Sequence, residues 1–214
     1  MRFLKLVTLI AILVLISQCT AAQKAKDDKV IVSLYYETLC PDCIEFISKQ
    51  ISRAWKLMGN YFDIEFVPYG NAKTLPTSPP TFQCQHGKSE CEGNKMHACA
   101  IKHIPEPKIT QFIVCSMSSK DPPNAGQKCA QLLNVDFSLI QSCVATTGEG
   151  DQLLYDFGVQ TNNLQPPHQY VPWILFNGNF DEQDNDKADK DLVRVICTKL
   201  RNAPDICNSV DLIV

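Results

Sequence analysis

The sequence predicts an α/β fold built on one strand–helix–strand unit, with a pair of cysteines at its first turn. Residues 29–36 are rich in β-branched and aromatic side chains, which is typical of a strand. From Cys40 to about Met58 apolar side chains recur at helical spacing, and Pro41 suits the first helical position. Residues 61–68 then alternate as a second strand, and this β-α-β order favours a parallel sheet.

The first turn carries the motif Cys40-Pro41-Asp42-Cys43. A C-x-x-C motif between a strand and a helix is typical of a redox dithiol. Cys40 would lie at the helix N-terminus, where unpaired N–H groups and the helix dipole favour a thiolate. Cys43, one turn later, could attack a mixed disulfide and close an intramolecular one. The Asp42 carboxylate raises the pKa of its neighbour, yet we predict a Cys40 pKa below the ordinary value of about 8.5.

A second segment, Tyr170-Val171-Pro172-Trp173, predicts the opposite wall of the same site. Residues 170–176 have the composition of a strand, and Asn177-Gly178 predicts a turn after it. Proline is unusual inside a strand. A thioredoxin-like fold, which the dithiol in a β-α-β unit indicates, has a cis-proline at this point. We therefore expect a cis Val171–Pro172 bond and assign Val171 and Pro172 to substrate binding.

The region between these two segments changes in character. Residues 70–82 contain three prolines and are predicted to be a loop. Helical patterns follow at residues 96–101, 109–117, 127–133, 137–145 and 151–157, and a last helix is expected at 186–200. Six cysteines fall within residues 84–143. We therefore predict a thioredoxin-like fold with a disulfide-tied helical insertion at about residues 84–148.

The first 22 residues are predicted to be a secretory signal peptide. Arg2 and Lys5 precede an apolar stretch, and small residues precede a cleavage point after Ala22. The folded domain would then comprise residues 23–214. No later stretch approaches about 18 apolar residues, so no membrane anchor is expected after cleavage. The net charge of −3 argues against a nucleic-acid partner.

Cysteine usage agrees with an oxidising compartment. The chain has 11 cysteines. Apart from Cys19 in the signal region and the C-x-x-C pair, the rest form an even set, which predicts four structural disulfides. Cys115–Cys129 and Cys197–Cys207 are the candidates that are local in sequence, and the other pairings stay open.

Residues 84–99, CQHGKSECEGNKMHAC, form a long and specific motif. It resembles the signature C-Q-H-G-x2-E-C-x2-N-x4-C of the gamma-interferon-inducible lysosomal thiol reductase family, with every fixed position present. The resemblance covers about residues 30–200. It includes Thr161, Pro167, His168 and the segment 170–173.

The resemblance implies a thioredoxin-like reductase of protein disulfides that acts at acidic pH in endosomes and lysosomes, with no bound cofactor. Some relatives are tied to host defence. It assigns Cys40 as the nucleophile and Cys43 as the resolving cysteine, so disulfide-containing proteins are the expected substrates. A small thiol or another reductant would restore the dithiol. Well-known members are glycosylated, whereas this sequence has no N-x-S/T acceptor, so extracellular secretion stays open beside lysosomal residence.

Other interpretations remain at this stage. An oxidase or isomerase of the secretory pathway would use the same dithiol, and a secreted, disulfide-stapled defence or binding protein would not use it. A zinc site at the signature cysteines is disfavoured, because their spacing fits no common finger and exported cysteines usually oxidise, so we predict no metal site. His86 is interpreted as structural. His168 is either a polar loop residue or a cation near the dithiol.

Overall fold

The computed structural model describes residues 29–145 and 148–209, so the expected signal peptide of residues 1–22 lies outside the described residues. A three-stranded sheet forms the centre. Its strands are β1 (Val30–Tyr36), β2 (Phe62–Pro68) and β5 (Trp173–Phe176). Strand β1 lies in the middle, parallel to β2 and antiparallel to β5. The predicted parallel β-α-β unit is confirmed.

Helix α1 connects β1 to β2 in three consecutive parts. Pro41–Glu45 and Ser52–Met58 are α-helical, and Phe46–Ile51 between them is a π-helix. The predicted extent, from Cys40 to Met58, is confirmed. The π-helical turn was not foreseen, because one wider turn changes the spacing of apolar residues too little to be read from a sequence.

The region between β2 and β5 differs from the prediction in detail. A small antiparallel hairpin, β3 (Lys73–Leu75) with β4 (Thr81–Gln83), replaces part of the predicted loop, and the three prolines lie in its connection. The helices that follow are α2 (Lys88–His103), α3 (Lys108–Met117), α4 (Gly126–Leu132), α5 (Ser138–Ala145) and α6 (Glu149–Asn162). Helix α2 begins well before the predicted residue 96. The first half of this helix buries polar side chains, so the sequence there lacks the helical spacing of apolar residues that predicts a helix.

Two helices follow β5 in the part of the chain that the structure describes. Helix α7 (Glu182–Lys199) starts four residues before the predicted one, because the Asp181 side chain caps it by accepting the Asp184 N–H. It is kinked at Asp191. The short helix α8 (Ile206–Ser209) was not predicted. No helix in the described ranges is long and apolar enough to cross a bilayer.

The two faces of the sheet are covered differently. Val32, Leu34 and Tyr36 of β1 pack into the main core with helices α1, α3 and α7. Tyr35 and Trp173 pack on the opposite face into a smaller cluster. The aromatic residues predicted to be core, Tyr35, Tyr36, Phe66, Trp173 and Phe176, are all buried.

Within residues 29–145 and 148–209, four disulfides stabilise the helical region and tie α7 to α8, as predicted. They are Cys84–Cys91, Cys99–Cys143, Cys115–Cys129 and Cys197–Cys207. Both pairings proposed from sequence proximity are confirmed. The second bond ties α2 to α5 and the third ties α3 to α4, whereas Cys40 and Cys43 are free thiols. The boundaries of the insertion stay a prediction.

Candidate active site

The structure brings Cys40, Cys43, Val171 and Pro172 together at the start of α1. Cys40 caps the helix, and its Sγ accepts the backbone N–H of Cys43 at 3.4 Å. On the other side the Cys40 Sγ lies 3.7 Å from the carbonyl oxygen of Val171. The Val171–Pro172 bond is cis, as predicted. Cys40 is 6% exposed, so little of its surface meets solvent.

The two thiols have opposite ionisation behaviour. The pKa of Cys40 is lowered to about 7, first because the Cys43 thiol donates a hydrogen bond to it, and then because backbone N–H groups at the helix start do so. Burial and the Asp42 carboxylate oppose this lowering. Burial raises the pKa of Cys43 well above its ordinary value. Near neutral pH Cys40 is therefore partly ionised whereas Cys43 stays a thiol, and the predicted lowering for Cys40 is confirmed.

A surface cavity of about 420 Å³ lies beside this pair. It is lined by Asp42 from α1, by Val171 and Pro172, and by Asp186 and Asp189 from α7. The cavity puts the cis-proline segment in contact with open space next to the dithiol. A substrate chain could approach Cys40 along this segment.

Sequence reasoning missed a charged cluster directly before the motif. Glu37 is fully buried; its Oε1 accepts the Asn71 N–H, and its Oε2 has no hydrogen-bond partner. Nδ1 of His86 lies 3.4 Å from that Oε2 and 2.6 Å from Oε2 of Glu90. Glu90 is also fully buried, and its Oε1 accepts the backbone N–H of His86 at 2.9 Å. The His86 side chain is 31% exposed, so it is the part of the cluster that meets solvent.

The cluster is electrostatically connected to the dithiol. Burial, followed by the charge of Glu90, raises the pKa of Glu37 to about 7, and the charge of Cys40 adds to this. Partial burial disfavours the His86 imidazolium, yet the hydrogen bond and charge of Glu90 raise its pKa above the ordinary value. Against the larger effect of burial, the backbone of Glu37 lowers the pKa of Cys43. Ionisation of the cluster and of the thiols is therefore coupled.

The signature motif holds the segment that leads into the dithiol. Asn94 Oδ1 accepts the Thr38 N–H and lies 2.9 Å from its hydroxyl. These hydrogen bonds hold Thr38, and the interactions of His86 and Glu90 hold Glu37. Both residues belong to the segment that leads into Cys40. The structural role expected for the signature around the dithiol is confirmed. The position of Glu37, three residues before Cys40, was the signal in the sequence that could have revealed the cluster.

The cysteines of the signature are paired in disulfides, Cys84 with Cys91 and Cys99 with a partner on α5, so they are not free thiolate ligands. Glu37, His86 and Glu90 place their ligand atoms within 4.8 Å of one another. His86 Nδ1 and Glu90 Oε2 are hydrogen-bonded at 2.6 Å. The expectation of no metal site stays a prediction.

His168 lies in the loop before the cis-proline segment, and its environment disfavours the cation. Burial lowers the pKa of its imidazole, and its hydrogen-bond partner is the backbone of Gly70. Gly70 in turn packs against the cluster, because a Cβ at this position would lie 2.3 Å from Cγ of Glu37. Its φ of +59° also favours glycine. His168 is thus a loop residue behind Glu37.

The amino-acid sequence is similar to that of a known protein family. The family model described as gamma interferon inducible lysosomal thiol reductase (GILT) matches residues 31–133. The gamma-interferon-inducible lysosomal thiol reductase of Carassius auratus is 38% identical over 86% of this chain and 72% of that protein. GILT-like protein 1 of Drosophila melanogaster is 38% identical over 93% of this chain and 86% of that protein.

Two solved structures resemble the fold. DsbA of Chlamydia trachomatis has a TM-score of 0.51 at 10% identity, covering 76% of this chain and 86% of that one. A thioredoxin-like oxidoreductase from Silicibacter pomeroyi has a TM-score of 0.50 at 13% identity, covering 78% and 88%. At such identities the likeness shows the thioredoxin-like fold alone. Fold and sequence together place the chain in the gamma-interferon-inducible lysosomal thiol reductase family, as a thiol–disulfide oxidoreductase that reduces disulfides.

Proposed function

We propose that Cys40 and Cys43 are the catalytic dithiol, that Val171 and Pro172 bind the substrate chain, and that the protein reduces protein disulfides at acidic pH. The observation that carries the proposal is the position of Cys40. Its thiol, of lowered pKa, caps a helix and lies 3.7 Å from the Val171 carbonyl beside an open cavity.

The reaction begins when the Cys40 thiolate attacks one sulfur of a substrate disulfide. A Cys40–substrate disulfide forms, and the other substrate sulfur leaves as a thiolate that takes a proton from water. Cys43 then loses its proton and attacks the Cys40 sulfur, which releases the second substrate thiol and leaves a Cys40–Cys43 disulfide. The substrate has gained two electrons, and two molecules of a small thiol restore the dithiol by two further exchanges and end as their own disulfide.

The lowered pKa of Cys40 supports activity at acidic pH. At pH 5 a thiol of pKa about 7 contains roughly 30 times more thiolate than one at the ordinary value of about 8.5. Most of Cys40 is still protonated at this pH, so the gain lies in the small fraction of thiolate that attacks the substrate. The names of the relatives refer to the lysosome, and we extend residence in the endosome or lysosome to this protein as part of the proposal. Subcellular fractionation distinguishes this from secretion.

The test is reduction of insulin at pH 5 and pH 7 by the wild type and by single cysteine variants. We expect turnover at both pH values, loss of at least about 100-fold in Cys40→Ser, and accumulation of a trapped mixed disulfide in Cys43→Ser. Equal turnover by Cys40→Ser would refute the proposed role. Refolding in a glutathione buffer is the companion assay. Faster catalysis with a reduced substrate protein would favour the oxidase, and faster catalysis with a scrambled one would favour the isomerase.

A further inference from the structure

The cavity beside the dithiol carries an excess of negative charge. Its lining contains three carboxylates, from Asp42, Asp186 and Asp189, and one ammonium group, from Lys190. Asp42 belongs to the first turn of α1, and the other three residues belong to α7. Two helices that lie far apart in sequence therefore direct negative charge at one cavity, and this cavity borders the reactive sulfur.

The carboxylates of the cavity have no ion-pair partner in the part of the chain that the structure describes. Asp42, Asp186 and Asp189 are all exposed. Other acidic residues of the same two helices do form ion pairs: Glu45 with Lys49, Asp184 with Lys199 and Asp191 with Arg53. An unpaired carboxylate keeps its charge available to a molecule that enters the cavity, whereas a paired one is already largely neutralised.

An aromatic ring lies at the same cavity. Tyr170 is 37% exposed and belongs to the lining. Its hydroxyl donates a hydrogen bond to Glu182 at 2.9 Å, and its ring packs edge-on against Trp173, so the side chain is fixed on two sides. Burial raises the pKa of Tyr170, and the charges of Glu182 and Asp186 add to this effect. A fixed aromatic ring within the field of a carboxylate is an arrangement that attracts lysine and arginine.

A substrate that reacts with Cys40 must place its own chain over this cavity. The Cys40 sulfur is nearly buried and lies 3.7 Å from the carbonyl of Val171, and Val171 and Pro172 also line the cavity. Residues of an extended chain follow one another at about 3.3 Å, so two or three neighbours of the substrate cysteine lie within about 10 Å of it. This is about the screening length at 0.1 M salt, so their charges act on the carboxylates of the cavity.

We propose that the acidic cavity beside Cys40 is a specificity site, at which Asp186 and Asp189 favour substrate disulfides flanked by lysine or arginine. Disulfides flanked by glutamate or aspartate are disfavoured at the same site. This inference rests on the proposed function of the dithiol and names the class of substrate that it takes. Because the charges act on the approach and binding of the substrate, the effect belongs in kcat/KM.

The position of Asp186 and Asp189 on α7 makes them suitable for substitution. They are three residues apart and therefore neighbours on one face of the helix. Asn185 and Ala188, which are buried, hold the other face against the protein. Replacing both aspartates with asparagine thus removes two charges without altering the core. Asp42 is not substituted, because its carboxylate also affects the pKa of Cys40.

The test compares three capped peptides that have the same length and one internal disulfide. The residues beside their cysteines are lysine, glutamine or glutamate. Dithiothreitol is the reductant, because it is uncharged and its reaction with the oxidised enzyme does not depend on the charge of the cavity. Each kcat/KM at pH 7 is divided by the rate at which dithiothreitol alone reduces the same peptide. This ratio cancels the effect of the flanking charge on the reactivity of the peptide disulfide itself.

For the wild type at about 20 mM salt we expect the corrected kcat/KM of the lysine peptide to exceed that of the glutamate peptide about tenfold, with the glutamine peptide between them. At about 300 mM salt the ratio should fall to about threefold, because the charges are screened. In the variant that combines Asp186→Asn and Asp189→Asn, the ratio at low salt should fall to about two- to threefold. In Lys190→Gln it should rise, since the one cation of the lining is removed.

Two controls separate charge at the cavity from other effects. Asp156→Asn removes an exposed charge from α6, which packs on the opposite face of the sheet, and should keep the wild-type ratio. Alkylation of Cys40 by uncharged iodoacetamide measures the thiolate, and its rate should be nearly the same in the wild type and in the variant with both asparagines. A ratio that falls equally in Asp156→Asn would contradict the proposal.

Equal corrected rates for the lysine and glutamate peptides in the wild type at low salt would overturn the inference, as would an unchanged ratio in the variant with both asparagines. If that variant does not fold, Lys190→Gln decides, because an unaltered ratio there also contradicts a role for the charge of the cavity. Full turnover of all three peptides by Cys40→Ser would instead refute the proposed function of the dithiol, so the two proposals fail separately.

Discussion

At the scale of single residues, the balance at Cys40 depends on opposing charges. Hydrogen bonds from the Cys43 thiol and from the helix N–H groups lower its pKa, and the neighbouring Asp42 carboxylate raises it. The sequence motif alone showed both influences but not which was larger. The structure shows that the lowering is larger, because the first turn of α1 places the Cys43 thiol where it donates a hydrogen bond to Cys40.

Replacing Asp42 with asparagine tests that balance. Removal of the carboxylate should lower the Cys40 pKa below about 7 and give about two- to fivefold more thiolate at pH 5, since a charge at a helix start contributes about 0.3–1 kcal/mol. Because a stabilised thiolate favours the reduced enzyme, the variant should also be more oxidising. Ultraviolet absorbance of the thiolate gives the titration. Glu45→Gln removes a charge one turn further along the same helix and should change it little; an unchanged midpoint in Asp42→Asn would contradict the account.

At the scale of elements, the sequence predicts what local chemistry determines. The β-branched composition of residues 30–36 predicts strand β1, and the capping position of Cys40 predicts the start of α1. A proline within a strand pattern predicts the cis Val171–Pro172 bond. The β3–β4 hairpin was misread because prolines in its connection mask the pairing. The early part of α2 was missed because its buried polar residues, such as Asn94, look like surface residues until a partner distant in sequence, here Thr38, is known.

Gly70 tests how the loop after β2 supports the active-site segment. In Gly70→Ala the new Cβ would lie 2.3 Å from Glu37 Cγ and the residue would keep an unfavourable positive φ, so Glu37 must shift. We expect a loss of about 1–3 kcal/mol in the free energy of unfolding and a changed pH profile of the dithiol. Gly178→Ala is the control: its φ is also positive, but its Cβ would meet no atom within 4 Å. Equal losses in both variants would show that backbone strain alone is responsible.

At the scale of the whole molecule, two buried groups set opposite pH dependences of stability. His97 is buried between the hydroxyls of Tyr36 and Ser116, and burial lowers its pKa to about 3. The unfolded chain therefore binds a proton below about pH 6.5 that the folded chain refuses, so stability falls with acid. Glu37 acts in the other direction. With a pKa raised to about 7, the folded chain holds a proton that the unfolded chain releases above about pH 4.5, so this contribution is lost as pH rises through 7.

Removing the Glu37 charge should therefore shift the stability optimum towards neutral pH. In Glu37→Gln the buried charge no longer forms above pH 7, so we expect the free energy of unfolding to rise by about 2 kcal/mol at pH 7.5 and to change much less at pH 5. The acid side, governed by His97, should keep its wild-type slope. Urea unfolding of the oxidised protein at a series of pH values measures the free energy of unfolding on the acid side and on the neutral side of the optimum. Glu106→Gln is the control. A uniform change at every pH would mean that the glutamine alters packing rather than charge, because only an ionising group can make the gain depend on pH.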